Sequence, residues 1–96
     1  MIELRVFRLA PGADEAAFLA SDKAVQSDFA YQQPGLLRRT TARSPSGDWL
    51  VLDLWRSEAD ADRCAALWAS DPAARKFMGF VDRASVRTAR FEELPG

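Results

Sequence analysis

Residues 2–9, IELRVFRL, alternate Ile2, Leu4 and Val6 with Glu3, Arg5 and Phe7, a period of two that predicts a strand. PGADE breaks it. Pro11 and Gly12 make the turn, and Asp14 and Glu15 place negative charge where a helix N-terminus favours it. A helix is expected over 14–30: Phe18, Ser21, Val25 and Phe29 fall near one stripe, with Asp22, Lys23 and Gln26 mostly around the other side. QQPGL ends this helix. LLRRTTAR (36–43) and WLVLDLWR (49–56) then read as two strands joined across the five-residue loop SPSGD, a hairpin. Ser57 offers an N-cap hydroxyl, with Asp60 three residues on as the acidic half of a capping box, so a second helix starts at once. Its expected buried stripe is Ala61, Cys64, Ala65 and Trp68. Asp71 and Pro72 repeat the start signal for a short segment ending near Gly79, and SVRTARFEEL (85–94) supplies the last strand.

The order is βαββαβ, which predicts an α+β, ferredoxin-like domain: a four-stranded antiparallel sheet with two helices on one face, spanning residues 1–96 as a single unit. One strand complicates this. Trp49, Val51 and Trp55 share one of its faces while Leu50, Leu52 and Leu54 share the other, so both sides of the sheet require cover. The simplest cover for the second side is the sheet of another copy, which predicts a homodimer packed through its sheet faces. Composition points the same way, since 48% hydrophobic residues with three Trp and six Phe is rich for a 96-residue chain.

Charge and residue types narrow the chemistry. Lys+Arg (13) and Asp+Glu (14) nearly cancel and the basic residues are scattered, which argues against a nucleic-acid partner. The chain has no His and one Cys, so the usual ligands for zinc, copper and haem are missing, and no metal or cofactor is expected. A lone Cys64 cannot form an intrachain disulfide, and no stretch reads as a signal peptide or membrane span; the expectation is a soluble cytoplasmic protein with no membrane partner. Cys64 reads as a small buried apolar residue, and Tyr31 as a donor at a pocket mouth or part of a surface loop. Arg38, Arg43, Arg83 and Arg90 read as solvated strand and loop charges.

Asp53, in the middle of the most apolar strand, is the unusual residue. A buried carboxylate needs a partner, and Arg5, Arg39 and Arg87 lie on strands that could neighbour it. Two readings stand side by side: an ion pair that pins strand register or the dimer interface, and a pocket base whose raised proton affinity removes a phenolic or enolic proton while an Arg steadies the oxyanion. Trp55, Trp68, Phe77, Met78 and Phe80 form an aromatic and thioether cluster that is either core or the wall of a pocket for a small apolar or aromatic molecule, and Phe18 from the first helix is a further substrate-binding candidate.

Pro34-Gly35-Leu36, a basic strand, Gly47-Asp48-Trp49, an apolar strand ending Trp55-Arg56-Ser57 and an Ala-rich helix together resemble the antibiotic biosynthesis monooxygenase (ABM) superfamily of dimeric α+β barrel proteins. The likeness of layout covers nearly the whole chain. It implies a substrate pocket between sheet and helices and cofactor-independent oxygenation of a small phenolic or polyketide-like aromatic. It further implies Trp55 as the residue placing the ring; combined with the pocket-base reading of the residues, this makes Asp53 the candidate base and Arg39 or Arg87 its oxyanion partner. Many members carry His on the second helix where this chain has Cys64 and Trp68, and the haem-degrading branch needs a His that is absent. The oxygenases are associated with an Asn on the third strand, and this chain has no Asn. A non-catalytic ligand-binding or structural homodimer, and a polyketide cyclase or isomerase, are the alternatives the same fold admits.

Overall fold

The computed structural model describes residues 1–96. Strands β1 (Ile2–Leu9), β2 (Leu36–Arg43), β3 (Trp49–Trp55) and β4 (Val81–Phe91) form one antiparallel sheet in the order β2-β3-β1-β4. Helices α1 (Glu15–Asp28), α2 (Glu58–Trp68) and the short α3 (Pro72–Met78) pack on one of its faces. This is the ferredoxin-like α+β arrangement expected from the order of elements. No helix is long and apolar enough to cross a membrane.

Each helix begins where a side chain can satisfy its first free N–H groups. The Asp14 carboxylate accepts from the Ala16 and Ala17 N–H, the Ser57 hydroxyl from Asp60 and the Asp71 carboxylate from Ala74, with Pro72 at the first helical position of α3. α1 stops at Asp28, short of the expected 30. Phe29 leaves helical geometry (φ −131°, ψ −62°) and packs its ring with Trp55, Ala61 and Cys64, and a 3-10 turn over Ala30–Gln32 follows. β4 starts at Val81, four residues before the expected Ser85, and ends at Phe91. An irregularity between Val6 and Arg8 lets the Ser85 hydroxyl accept the Arg8 N–H at 2.8 Å, so residues 81–84 join the strand across a bulge.

The turn before β2 is clasped to the start of α2. Gly35 has φ +85°, a left-handed conformation that favours glycine, and a side chain there would overlap the Asp60 carboxyl group. Asp60 accepts from the Ser57 hydroxyl at 2.9 Å and from Arg63 at 2.7 Å, while the Arg56 N–H donates to the Gly35 carbonyl at 2.8 Å. These bonds, with the Ser57 hydroxyl first and Arg63 and Arg56 behind it, hold the Asp60 carboxyl below the usual carboxylate range.

Register decides which side chains face the helices. Glu3 pairs with Asp53 and Phe7 with Trp49, so the inner face carries Glu3, Arg5 and Phe7 from β1 and Trp49, Val51, Asp53 and Trp55 from β3. Ile2, Leu4 and Val6 lie opposite Leu54, Leu52 and Leu50 on the outer face, which no element of this chain covers. The inner face holds two apolar groups. Phe7, Phe18, Val25, Trp49, Val51, Phe77 and Val81 form the larger; Phe29, Trp55, Ala61 and Cys64 form the smaller, and Trp68 packs against both. Ala65, expected in the α2 stripe, is exposed.

Candidate functional site

Two carboxylates face each other across the β1–β3 ladder, Glu3 and Asp53, both buried on the inner face. Like charges directly opposite are unfavourable, so the fold requires a cation between them. Arg5, two residues after Glu3 and therefore on the same face, supplies it: Nη2 donates to Glu3 Oε1 at 2.9 Å and Nη1 to Asp53 Oδ2 at 3.4 Å. Arg39, opposite Asp53 on β2, approaches from the other side with Nε 4.0 Å from Asp53 Oδ1. That separation is electrostatic contact without a hydrogen bond, and Oδ1 is buried with no hydrogen-bond partner. The rest of the Arg39 guanidinium is occupied, Nη2 by Asp22 at 2.8 Å and Nη1 by Thr41 at 3.3 Å.

Asp22 is thus buried, not solvated as the helix pattern predicted. It stands four residues after Phe18 and three before Val25, inside the apolar stripe, and its partner is the cation rising from β2. Arg87 also departs from expectation. It pairs with Val6 on the outer face and is exposed, so it is not the partner of Asp53; Arg5 holds that place.

Burial pushes the Asp53 carboxyl above its ordinary value; Arg5 and then Arg39 pull it down, with Glu3 and Asp22 adding to the upward push. A carboxyl raised on folding makes the native state the better proton binder between its unfolded value of 3.8 and its folded value. Stability from this group is therefore present at low pH and is lost as pH rises through that window. Asp53→Asn, a neutral isostere, should match wild type near pH 3.5, remain at least as stable at pH 7 and show a flatter pH profile. Calorimetric melting across that range checks this, and a lower Tm for the variant at pH 7 would mean the two arginines outweigh desolvation.

Beside this ionic row lies a cavity of about 110 Å³. Its walls are aromatic or aliphatic for the most part: Phe7, Trp68, Phe77, Met78, Val51, Val81 and Val86, with the Thr88 side chain and the guanidiniums of Arg5 and Arg39 as its polar elements. Arg5 lies 5.5 Å from the Trp68 ring and Arg39 6.0 Å from that of Phe77, so both cations are held by aromatic faces as well as by carboxylates.

Of the residues picked out in the sequence, Arg39, Trp68, Phe77 and Met78 meet at this cavity, joined by Arg5. The others lie elsewhere. Asp53 sits behind Arg5 and does not reach the wall. Trp55, which the resemblance implied as the ring-placing residue, is buried in the smaller apolar group beside Cys64, its indole N–H without a partner. Phe18 is wholly buried in the larger core group and Phe80 packs against its edge. Burial also pushes the Cys64 thiol up to about 11, consistent with a small packed residue. Tyr31 belongs to the fold: its hydroxyl accepts the Arg39 N–H at 2.9 Å. Glu3, Arg5 and Phe7 were legible as one face of β1, but nothing local to that strand shows that this face turns inward.

A four-stranded ferredoxin-like sheet with a small cationic and aromatic cavity under its helices defines the class of this protein. No protein-family model and no curated protein matches the sequence. Solved structures do match. SnoaB, a cofactor-independent oxygenase from Streptomyces nogalater, superposes with a TM-score of 0.80 at 16% identity, over 99% of this chain and 93% of that one. An antibiotic biosynthesis monooxygenase follows the fold with a TM-score of 0.67 at 12% identity, over 99% and 100% of the two chains. Rv0793 from Mycobacterium tuberculosis does so with 0.70 at 15% identity, over 99% and 95%. The chain thus has the fold of antibiotic biosynthesis monooxygenase structures along essentially its whole length, as the sequence layout implied.

Proposed function

We propose that this chain is a cofactor-independent monooxygenase for a small phenolic aromatic. The observation that carries the reading is the pair of guanidiniums, Arg5 and Arg39, set in the wall of an otherwise apolar, aromatic cavity. Two permanent cations beside a low-dielectric cavity favour a phenolate over a phenol, and the phenolate is the electron-rich form that oxygen attacks. The balanced conversion adds one atom of O2 at a ring carbon to give a quinone, while the second atom leaves as water with two hydrogens from the substrate. Trp68 and Phe77 take over ring placement from Trp55. Asp53 is a positioning residue, holding Arg5 from behind. The likeness of fold to a cofactor-independent oxygenase supports the reaction class.

The volume sets a size limit. A dry cavity of about 150 Å³ accommodates benzene, so one of 110 Å³ takes no more than a single ring. Oxygen uptake measured over a series of monocyclic phenols and hydroquinones tests the reading. Arg5→Gln should lower kcat/KM by about 100-fold, the scale of losing one oxyanion donor; it also removes the cation between buried Glu3 and Asp53 and should lower the Tm, so uptake is compared at a temperature where the variant is folded. Uptake that is equal in wild type and variant would remove Arg5 from the site.

The second reading is a binding protein that holds an aromatic anion without turnover. It is favoured by the cavity wall itself, in which Thr88 is the only uncharged polar residue and no carboxylate faces the ligand space. Ligand affinity without oxygen uptake distinguishes it.

The same proposal includes a homodimer. The uncovered outer face offers Ile2, Leu4, Val6, Leu50, Leu52 and Leu54 in one contiguous aliphatic patch, the kind of surface an isologous sheet-on-sheet interface buries. Leu52, flanked by Leu4 and Thr40, is near its centre. Leu52→Glu should convert a dimer into a monomer in light scattering; an unchanged mass would move the interface elsewhere.

A further inference from the structure

Most basic side chains here are consumed by ion pairs, but Lys23, Arg38, Arg75, Lys76, Arg83 and Arg87 have none. Three of these, Arg75, Lys76 and Arg83, line a single depression of about 600 Å³, and no acidic residue lines it with them. Arg75 and Lys76 occupy the last turn of α3, where they also offset the partial negative charge of the helix end. Arg83 comes from β4 and has no such role.

The position of this depression matters more than its charge. Trp68 and Met78 belong to its wall and equally to that of the inner cavity, so the two spaces adjoin at one indole and one thioether side chain. Met is unbranched with three rotatable bonds, so Met78 is a wall that can move aside at small cost. The inner cavity alone, at 110 Å³, falls below the roughly 300–1,000 Å³ usual for ligand pockets, whereas the two spaces together fall inside it.

We propose that the outer depression is an anion subsite of the same binding site. The substrate is then an elongated molecule whose aromatic ring enters the inner cavity past Met78 while a carboxylate or phosphate on a short chain rests among Arg75, Lys76 and Arg83. This rests on the inner cavity taking an aromatic ring. The outer cations hold the charged end, and the selectivity they add is for substrates bearing an anionic tail over neutral phenols of the same ring. Because these side chains are exposed, their contribution is screened by salt.

Calorimetric titration of the full chain with 4-propylphenol, 3-(4-hydroxyphenyl)propanoate and 3-(4-hydroxyphenyl)propyl phosphate tests this. Wild type should bind at least one anionic probe about 10-fold or more tighter than 4-propylphenol at low ionic strength, with the advantage shrinking as NaCl is added. Whichever anion gains more identifies the tail as carboxylate or phosphate. In the variant combining Arg75→Gln, Lys76→Gln and Arg83→Gln, all on the surface, the three probes should bind alike and as 4-propylphenol binds to wild type. Equal affinity of all three for wild type would overturn the anion subsite while leaving the aromatic cavity standing. An anionic advantage that survives in the triple variant would assign it to other cations and overturn the subsite too. Binding of none of the probes would overturn both.

Discussion

Phe18→Ala is expected to cost about 3–5 kcal/mol of unfolding free energy, the usual range for deleting a buried aromatic side chain. Phe18 is 0% exposed and is the point at which α1 is pinned to the sheet. Its ring packs edge-on against Trp49 at 4.9 Å and Phe7 at 6.0 Å, and is tilted against Phe77 at 5.2 Å, so truncation empties the centre of the larger apolar group. Domains are commonly stable by only about 5–15 kcal/mol, so one substitution removes a large share. Urea unfolding followed by tryptophan fluorescence should show a much lower midpoint with an unchanged slope. The sequence placed Phe18 with the substrate-binding residues, and the same variant tests that placement. Phe18 does not line the cavity, so affinity for a phenol should be retained at a temperature where the variant is folded. Lost affinity with little lost stability would return Phe18 to the ligand wall.

The strands and caps were legible because each rests on a local rule: period-two alternation for β1, a short apolar run bounded by turn residues for β3, Pro45 and Gly47 for the hairpin, Ser57 and Asp71 for helix starts. Faces were not, because they depend on register between strands distant in sequence. Taken alone, β1 suggests that Ile2, Leu4 and Val6 turn toward the helices. They turn outward because β3 is apolar on both faces and Glu3 pairs with Asp53. The same register carries Arg5 inward and Arg87 outward, so the choice between them as partner of Asp53 was invisible until pairing was known. Trp55 was placed on the correct face of β3, yet which helix covers that end of the strand decided whether it met the cavity. Phe29 and Cys64 cover it, and α3 covers the other. Asp22 was hidden by its chemistry rather than its position, since a carboxylate inside an apolar stripe reads as an exception until its buried cation is found.

That cation carries the second large effect. Arg39 is 7% exposed and stands between Asp22 at 2.8 Å and Asp53 at 4.0 Å. Arg39→Met keeps most of the volume but leaves two buried carboxylates without this counter-charge, and it should cost about 3–5 kcal/mol, as breaking a buried ion pair does. The loss should depend on pH. Asp53, already raised, loses one of the two cations that pull it down, so its folded-state value rises further and the native variant takes up a proton at higher pH than wild type. Native uptake of protons means stability falls as pH rises through that window, so the variant should recover relative to wild type as pH is lowered from neutral. Adding Asp22→Asn and Asp53→Asn to Arg39→Met removes the uncompensated charges and should restore most of the lost stability, because buried ionic groups replaced by neutral residues of similar volume are often tolerated. Stability alone would then not require the arginine. If this triple variant folds as wild type does but has lost affinity for a phenol, the buried row exists to hold a guanidinium at the cavity wall. If affinity survives, Arg39 is there to set register and Arg5 alone carries the oxyanion.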